Sequence, residues 1–402
     1  MSINMKEFTV LREKCPTWAE LKAHFASEDG VGLRVIEQGD LAIIRYEKSA
    51  AAEPYYRSIV WDKVANLPLC IAPFRSKAGP PPFGTELTVE DFADGFMMNA
   101  WVSGGVLQLA TRTLVGGDNR FYSEKTFGQL FSECLATTPF KTMDSLRDCL
   151  EGLRQDVNGT SAFASFILQH PEHRVVAKAA SPSLYAVHAG YVMESGAVHL
   201  AERSVNWPEA LSRLHVTNYA PRSFQNEAEV GDLLLKTSAQ RGWRWQGLVF
   251  KDGTGARWKM RTPTYTMLRQ LRGGESSALE RFFRLRTERQ VVEYLKHYGE
   301  DRPVFWEFEQ RLRVVTSDVL TAYTDVHKAH SVVFKDLPEE LKPAVYLLHL
   351  KWRDELRPKG FSVRLQNVID VVNKMRGFEK KRLMEAGPYV AAVPATPAAG
   401  TE

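Results

Sequence analysis

Basic side chains recur at strand spacing in several separate parts of this chain. In RWKMRT (257–262), alternate residues of a strand share a face, so Lys259 and Arg261 point one way while Trp258 and Met260 point the other. Trp and Met suit a core; two cations on the opposite face suit an anion, or water. In VLQLATRT (106–113) the same alternation puts Gln108, Ala110 and Arg112 on one face and Leu107, Leu109 and Thr111 on the other. Arg57 stands at a strand start in YYRSIVW, and Arg75 and Lys77 stand where a strand runs into the Pro-rich loop APFRSKAGPPP. A triphosphate needs such neutralisation before a nucleophile can attack phosphorus. A structural scaffold gives no reason for cations at alternating positions of two separate strands.

The elements that would carry these cations are mostly strands. YYRSIVWDKVANLPLCIAPF holds two apolar stretches around a polar turn, a hairpin pattern, and FMMNAWVSGGVLQLATRT repeats it around Ser103-Gly104-Gly105. SAFASFILQH and SLYAVHAGYVMESGAVHLAE add further strands, and WQGLVFKDGTGARWKMRT forms a last hairpin turning at Asp252–Gly255. Helices are expected at about 124–136 and 142–155, where apolar residues recur three to four apart. After Gly273-Gly274 the texture becomes helical, with amphipathic stretches at SSALERFFRLRTERQVVEYLKHY, VFWEFEQRLRVVTSDVLTAYTDVHKAH and EELKPAVYLLHLKWRDEL. The reading is an α+β chain: an antiparallel-sheet domain over 1–273, an all-α domain over 274–386 and a disordered Pro/Ala-rich tail over 387–402.

A length of 402 residues suits two domains, and 44% hydrophobic with 25% charged residues is ordinary for a globular protein. No apolar run is long enough to span a bilayer, and the polar N-terminus is not a secretory signal. Cys15, Cys70, Cys134 and Cys149 lack CxxC spacing, so a reducing, cytoplasmic setting without a zinc ribbon is expected. The net charge of +4 favours a polyanionic partner only weakly.

In motif order the chain resembles the bacteriophage-type RNA ligase 1 family of covalent nucleotidyltransferases, in particular a divergent branch seen in large DNA viruses. The likeness runs from YYRSIVWD to WKMRTPTYTMLRQLRGG. FADG (92–95) falls on the family's Lys-x-Asp-Gly nucleophile motif, Arg57 on its upstream arginine, and Lys77 on a phosphate-contacting lysine. Arg112 falls on a later cation, QGLVF (246–250) on the acidic-Gly motif, and Lys259 and Arg261 on the last cation pair. The resemblance implies a nucleotidyltransferase core, ATP and Mg²⁺ as cofactors, RNA ends or nicks as partners, and sealing through a lysyl-AMP intermediate.

Three departures touch the chemistry. Phe92 stands in place of the nucleophilic lysine, Gln246 in place of a metal-binding Glu, and Ile167 in place of a ribose-contacting carboxylate. Two readings stay open. In one, Lys77 has become the nucleophile, with Arg57, Lys77, Arg112, Gln246, Lys259 and Arg261 holding the nucleotide; Asp94, the other catalytic candidate, either orients the nucleotide or caps a turn. In the other, a catalytically inactive pseudo-ligase binds nucleotide or RNA ends without forming an adenylate. In the helical part, Arg269, Arg272, Arg281, Arg284, Arg286 and Arg289 make a basic stretch. Arg281, Arg284 and Arg289 fall on one broad face able to follow a phosphate backbone, although interleaved Glu residues offer ion pairs instead. His170 and His173 flank Pro171, a spacing better explained by a loop than by a metal. Tyr185 and Tyr191 are candidate stacking partners for a base.

Overall fold

The computed structural model describes residues 3–27, 32–47, 52–275 and 277–389, with the backbone alone for Ser204. The chain divides into two compact units, Met1–Gln270 and Leu271–Glu402. The fold is α+β, with strands in the first unit and helices in the second. The division falls after Gln270 rather than after Gly273, because Leu271 and Arg272 bond into the second unit. Leu271 O accepts from Arg284 Nη2 at 2.9 Å, and Arg272 pairs with Asp301 at 2.9 Å. Of the tail expected over 387–402, residues 390–402 lie outside the described residues. Tyr389 is tied down, its hydroxyl donating to Asp325 Oδ2 at 3.0 Å.

Among the described residues, three sheets build the first unit: one of six strands, one of five and one of four. All pairings are antiparallel except Lys77–Ala78, which runs parallel to Trp258–Lys259. The expected hairpins form at Ile59–Asp62 with Leu67–Ile71, at Phe96–Ser103 with Val106–Ala110, and at Gly247–Lys251 with Arg257–Arg261. The expected helices run Phe127–Ala136 and Met143–Asp156. Thr126 caps the first in a reciprocal box with Gln129, which satisfies end donors that the helix itself leaves open.

The six-stranded sheet is covered on both faces. Met98, Ala100, Val102, Ala164, Phe166 and Leu168 pack with Leu130, Phe131 and Leu146 of the two helices. On the opposite face Trp101 and Phe163 pack against Ile43, Val60 and Trp61 of the four-stranded sheet. Trp101 pairs with Phe163, Asn99 with Ser165 and Met97 with Ile167, so this second face runs from core to polar pair to open cavity. Ser165 donates to Asn99 Oδ1 at 2.8 Å where apolar cover ends, while Asn99 Nδ2 is buried without a hydrogen-bond partner among the described residues.

The five-stranded sheet works by the same alternation. Leu87, Val89, Leu248, Phe250 and Trp258 pack with Val230 and Leu234 of the helix Glu227–Arg241. The other face carries Glu90, Val249 and Lys259 in one cross-strand row, because Val249 pairs with both neighbours. The chief helices of the second unit are Ala278–Thr287, Val291–His297, Arg302–His327 and Lys342–Lys351. The stretch 276–298, expected as one helix, breaks at Arg289, whose φ of 59° lies in the left-handed region.

Candidate functional site

The polar faces of the two larger sheets enclose a cavity of about 740 Å³ within the first unit. Arg57, Arg75, Lys77, Arg112, Arg257, Lys259 and Arg269 line it, together with Met97, Ile167, Val187, Val216 and Val249. Five of the six cations singled out at strand spacing and strand ends, Arg57, Arg75, Lys77, Arg112 and Lys259, therefore meet in one place. Arg261 does not line this cavity: its guanidinium stands 4.8 Å from the centroid of the Phe92 ring.

Separate local devices deliver these side chains. Arg57 ends a short 3₁₀ turn, Pro54–Arg57, and donates to Pro73 O at 3.4 Å. Arg112 is not on a strand face as expected, because its strand stops at Ala110. Thr111 closes a turn there, its hydroxyl oxygen accepting from Leu114 N at 3.1 Å. From that turn Arg112 lies 4.7 Å from the Tyr46 ring centroid, and Arg75 lies 4.5 Å from the same ring. Lys77 is exposed, with its ammonium 5.6 Å from the Trp258 ring.

Charge is left over for a ligand. Arg57 and Arg112 donate to the carbonyls of Pro73 and Tyr46, neutral acceptors that leave their positive charge uncompensated, and Arg257 donates to Phe74 O while Glu90 offsets part of its charge. Nε of Arg112 and of Arg257 is buried without a hydrogen-bond partner among the described residues. The two lining carboxylates are already engaged. Glu90 pairs with Lys251 at 2.6 Å and Arg203 at 3.2 Å. Asp91 accepts from Tyr219 Oη at 2.7 Å and Trp245 Nε1 at 2.9 Å, and pairs with Arg241. Burial pushes the Lys259 ammonium down to about 8, with Arg261, Arg57, Arg257 and Arg269 adding repulsion. Burial and the neighbouring Arg257 bring Arg57 down to about 10.

Asp94 and Gln246 lie beside a smaller neighbouring cavity of about 310 Å³, which shares Asp91, Phe92 and Ala93 with the large one. Asp94 is buried and accepts from Val176 N at 3.1 Å, Ala177 N at 2.8 Å and Tyr265 Oη at 2.5 Å. Such a carboxylate holds three segments together. Gln246 is equally committed. In the amide orientation that satisfies its partners, its oxygen accepts from Arg261 Nε at 2.8 Å and its nitrogen donates to Ala93 O at 3.1 Å. Each motif residue precedes an obligatory glycine. A Cβ on Gly95 would stand 2.2 Å from Leu168 O, and one on Gly247, at φ 141°, 2.0 Å from Met260 O.

A resident magnesium ion does not fit this donor set: Gln246 is a neutral amide bonded on both sides, and Glu90 and Asp91 are held by cations. Elsewhere Glu133, His170 and Glu172 come together, but Lys125 already bridges the two carboxylates at 2.9 and 2.7 Å. His173 packs instead against the Phe96 ring at 4.4 Å. Tyr191 stacks on His199 at 5.0 Å, away from the lining of the large cavity, and Tyr185 lines the smaller one.

The basic stretch of the second unit does not form an open face. Arg281 is buried and bonds Asp301 at 3.1 Å, and Arg284 is held by Glu275 at 2.5 Å and Glu288 at 3.0 Å. The helix ends at Thr287, so Arg289 lies beyond it. Sequence reasoning missed Arg257, although the period-two step back from Lys259 points to it. It also missed Tyr46, and it placed Arg269 with the helical stretch rather than at this cavity.

No family model matches the sequence, and no curated protein does. Among solved structures, an archaeal ATP-dependent RNA ligase aligns at TM-score 0.37 and 13% identity over 77% of this chain and 82% of its own. A putative ATP-dependent DNA ligase from Aquifex aeolicus gives TM-score 0.37 and 13% identity, covering 88% of this chain and 85% of that one. A Naegleria gruberi RNA ligase solved with ATP and manganese gives 0.32 and 14%, over 46% of this chain and 52% of the other. This chain thus spans about half of that last ligase.

Proposed function

We propose that the first unit binds ATP in the mould of the bacteriophage-type RNA ligases, with the triphosphate in the large cavity, and acts on RNA ends. One observation carries the reading: cations from separate segments line a single cavity whose two lining carboxylates are already paired. Apolar Met97, Ile167 and Val249 offer a dry wall for a base. Arg57, Lys77, Arg112 and Lys259 would take the phosphates, with Arg261 and Gln246 bracing the wall at Phe92. Magnesium enters this scheme bound to the nucleotide's own phosphates.

In the ligase form of the proposal an amine within the cavity accepts AMP. Lys77 Nζ attacks the α-phosphorus, the bond to the oxygen bridging to the β-phosphate breaks, pyrophosphate leaves, and the amine's proton passes to water. Lys259 is the competing amine. At about 8 its pKa leaves roughly a tenth of it neutral at pH 7. A second reading, binding without transfer, is favoured by the Phe92 ring, which occupies the nucleophile's motif position with Arg261 beside it.

Intact mass after incubation with ATP and Mg²⁺ separates the two. One added AMP, lost in Lys77→Ala and retained in Lys259→Ala, supports transfer from Lys77; the reverse pattern moves it to Lys259. Bound ATP with no adduct supports binding alone. Unchanged ATP affinity in both Lys259→Ala and Arg112→Ala refutes the site.

A further inference from the structure

The second unit contains a pocket of about 210 Å³ between the end of the helix Ala278–Thr287 and the helices Leu365–Lys374 and Gly377–Glu385. Arg286, Arg289 and Lys380 line it, with Thr287 and Asn373 as further polar groups, Phe283 among the apolar ones, and no carboxylate in the lining.

Lys380 is the unusual member. It is 7% exposed, and its ammonium lies 5.8 Å from the Phe283 ring. Its backbone N–H donates to Arg376 O at 3.0 Å, but among the described residues its ammonium has neither a hydrogen bond nor an ion pair. An ammonium on a largely buried stem, facing a pocket with no counter-charge, can lower its energy by losing its proton or by receiving an anion. Burial, and then repulsion from Arg286, lowers its pKa, which an arriving anion would reverse. Arg286 itself is partly compensated by Glu309 at 3.2 Å.

Arg289 gives a second, independent sign. The helix closes in a Schellman turn, with Gln290 N donating to Leu285 O at 2.7 Å and Arg289 N to Arg286 O at 3.2 Å. The position between takes φ 59°, where glycine is the usual choice. An arginine held there at the cost of backbone strain lines the pocket. The volume lies below that of ordinary nucleotide-sized pockets and suits one tetrahedral oxyanion.

We propose that this pocket binds a single phosphate group through Lys380, Arg289 and Arg286, as a second anion site independent of the large cavity. The source is either a phosphate of an RNA strand or free phosphate. The test uses the full chain with a 5′-phosphorylated RNA 12-mer and with inorganic phosphate, comparing wild type with Lys380→Met and Arg289→Gly. Each variant should weaken RNA binding about tenfold, the loss of one charge-assisted contact. The slope of log affinity against log salt should fall by about 0.7 per contact. ATP affinity should stay unchanged. Arg289→Gly should also raise Tm by relieving the left-handed strain, which separates lost binding from lost folding. Weakened phosphate binding with unchanged RNA binding assigns the pocket to free phosphate. Wild-type affinity of both variants for both ligands overturns the proposal.

Discussion

Arg261 stands 4.8 Å from the centroid of the Phe92 ring, across Gly247, the residue that pairs with Arg261 and bonds to Phe92. The glycine carries no side chain, so the guanidinium can cross its strand and meet the ring. Phe92 is thereby built into the wall shared by the two neighbouring cavities. Phe92→Leu removes a half-buried cation–π contact and should cost about 0.5–1 kcal/mol by thermal melting. Phe92→Lys combined with Gln246→Glu restores an amine and a carboxylate together. If the pocket is a ligase site that lost both, this pair should gain an AMP adduct by intact mass, and Phe92→Lys alone should not.

If the large cavity takes a polyphosphate as proposed, Lys259 makes that binding proton-linked. Its folded pKa, about 8, lies below its ordinary 10.5, so between these values the unfolded chain holds the extra proton. Its contribution to stability is therefore complete above about 10.5 and is lost as pH falls through 8. Bound polyphosphate acts the other way and favours the ammonium. ATP binding at pH 8–9 should take up protons, and affinity should fall as pH rises further. Calorimetry in buffers of different ionisation enthalpy measures the uptake, which Lys259→Met should abolish.

Asp94 is expected to be a positioning residue. Asp94→Asn keeps the size but removes the charge that accepts from Val176, Ala177 and Tyr265, at a cost of about 2–3 kcal/mol. Well below the lowered Tm, ATP affinity should remain within about twofold of wild type, under 0.5 kcal/mol. A large loss of affinity in a well-folded variant would place Asp94 at the ligand instead.

How much of this was legible beforehand varies residue by residue. Lys259 was readable because one strand repeats every two residues, and the Trp258 and Met260 side did pack as core. Arg112 was misplaced because a turn made by the Thr111 side chain ends the alternation one residue early. The engagement of Glu90 and Asp91 was invisible, since Arg203 and Arg241 lie 113 and 150 residues away in sequence. Lys380 gave no signal at all, because what sets it apart is the absence of an opposite charge in three dimensions. Arg281 looked available from helical spacing, and only burial against Asp301 removes it.

Arg281 therefore yields a stability prediction rather than a binding one. Asp301 receives Arg272 and Arg281 together with the Tyr294 hydroxyl. Arg281→Ala should destabilise the second unit by about 3–5 kcal/mol, the usual cost of breaking a buried pair, without changing the salt slope of RNA binding.

The row Glu90–Val249–Lys259 has a bearing on how such a protein can change over time. Its neighbours Val89, Phe250 and Trp258 seal the reverse side of the same three strands. Sliding the strand Arg257–Arg261 by one position would drive Lys259 into hydrocarbon and put Trp258 in water, and sliding Leu87–Asp91 would do the same with Glu90 and Val89. Mutation can therefore swap the reactive groups at the ends of these strands one by one, while the ligand-facing lining is inherited with the waterproofing behind it.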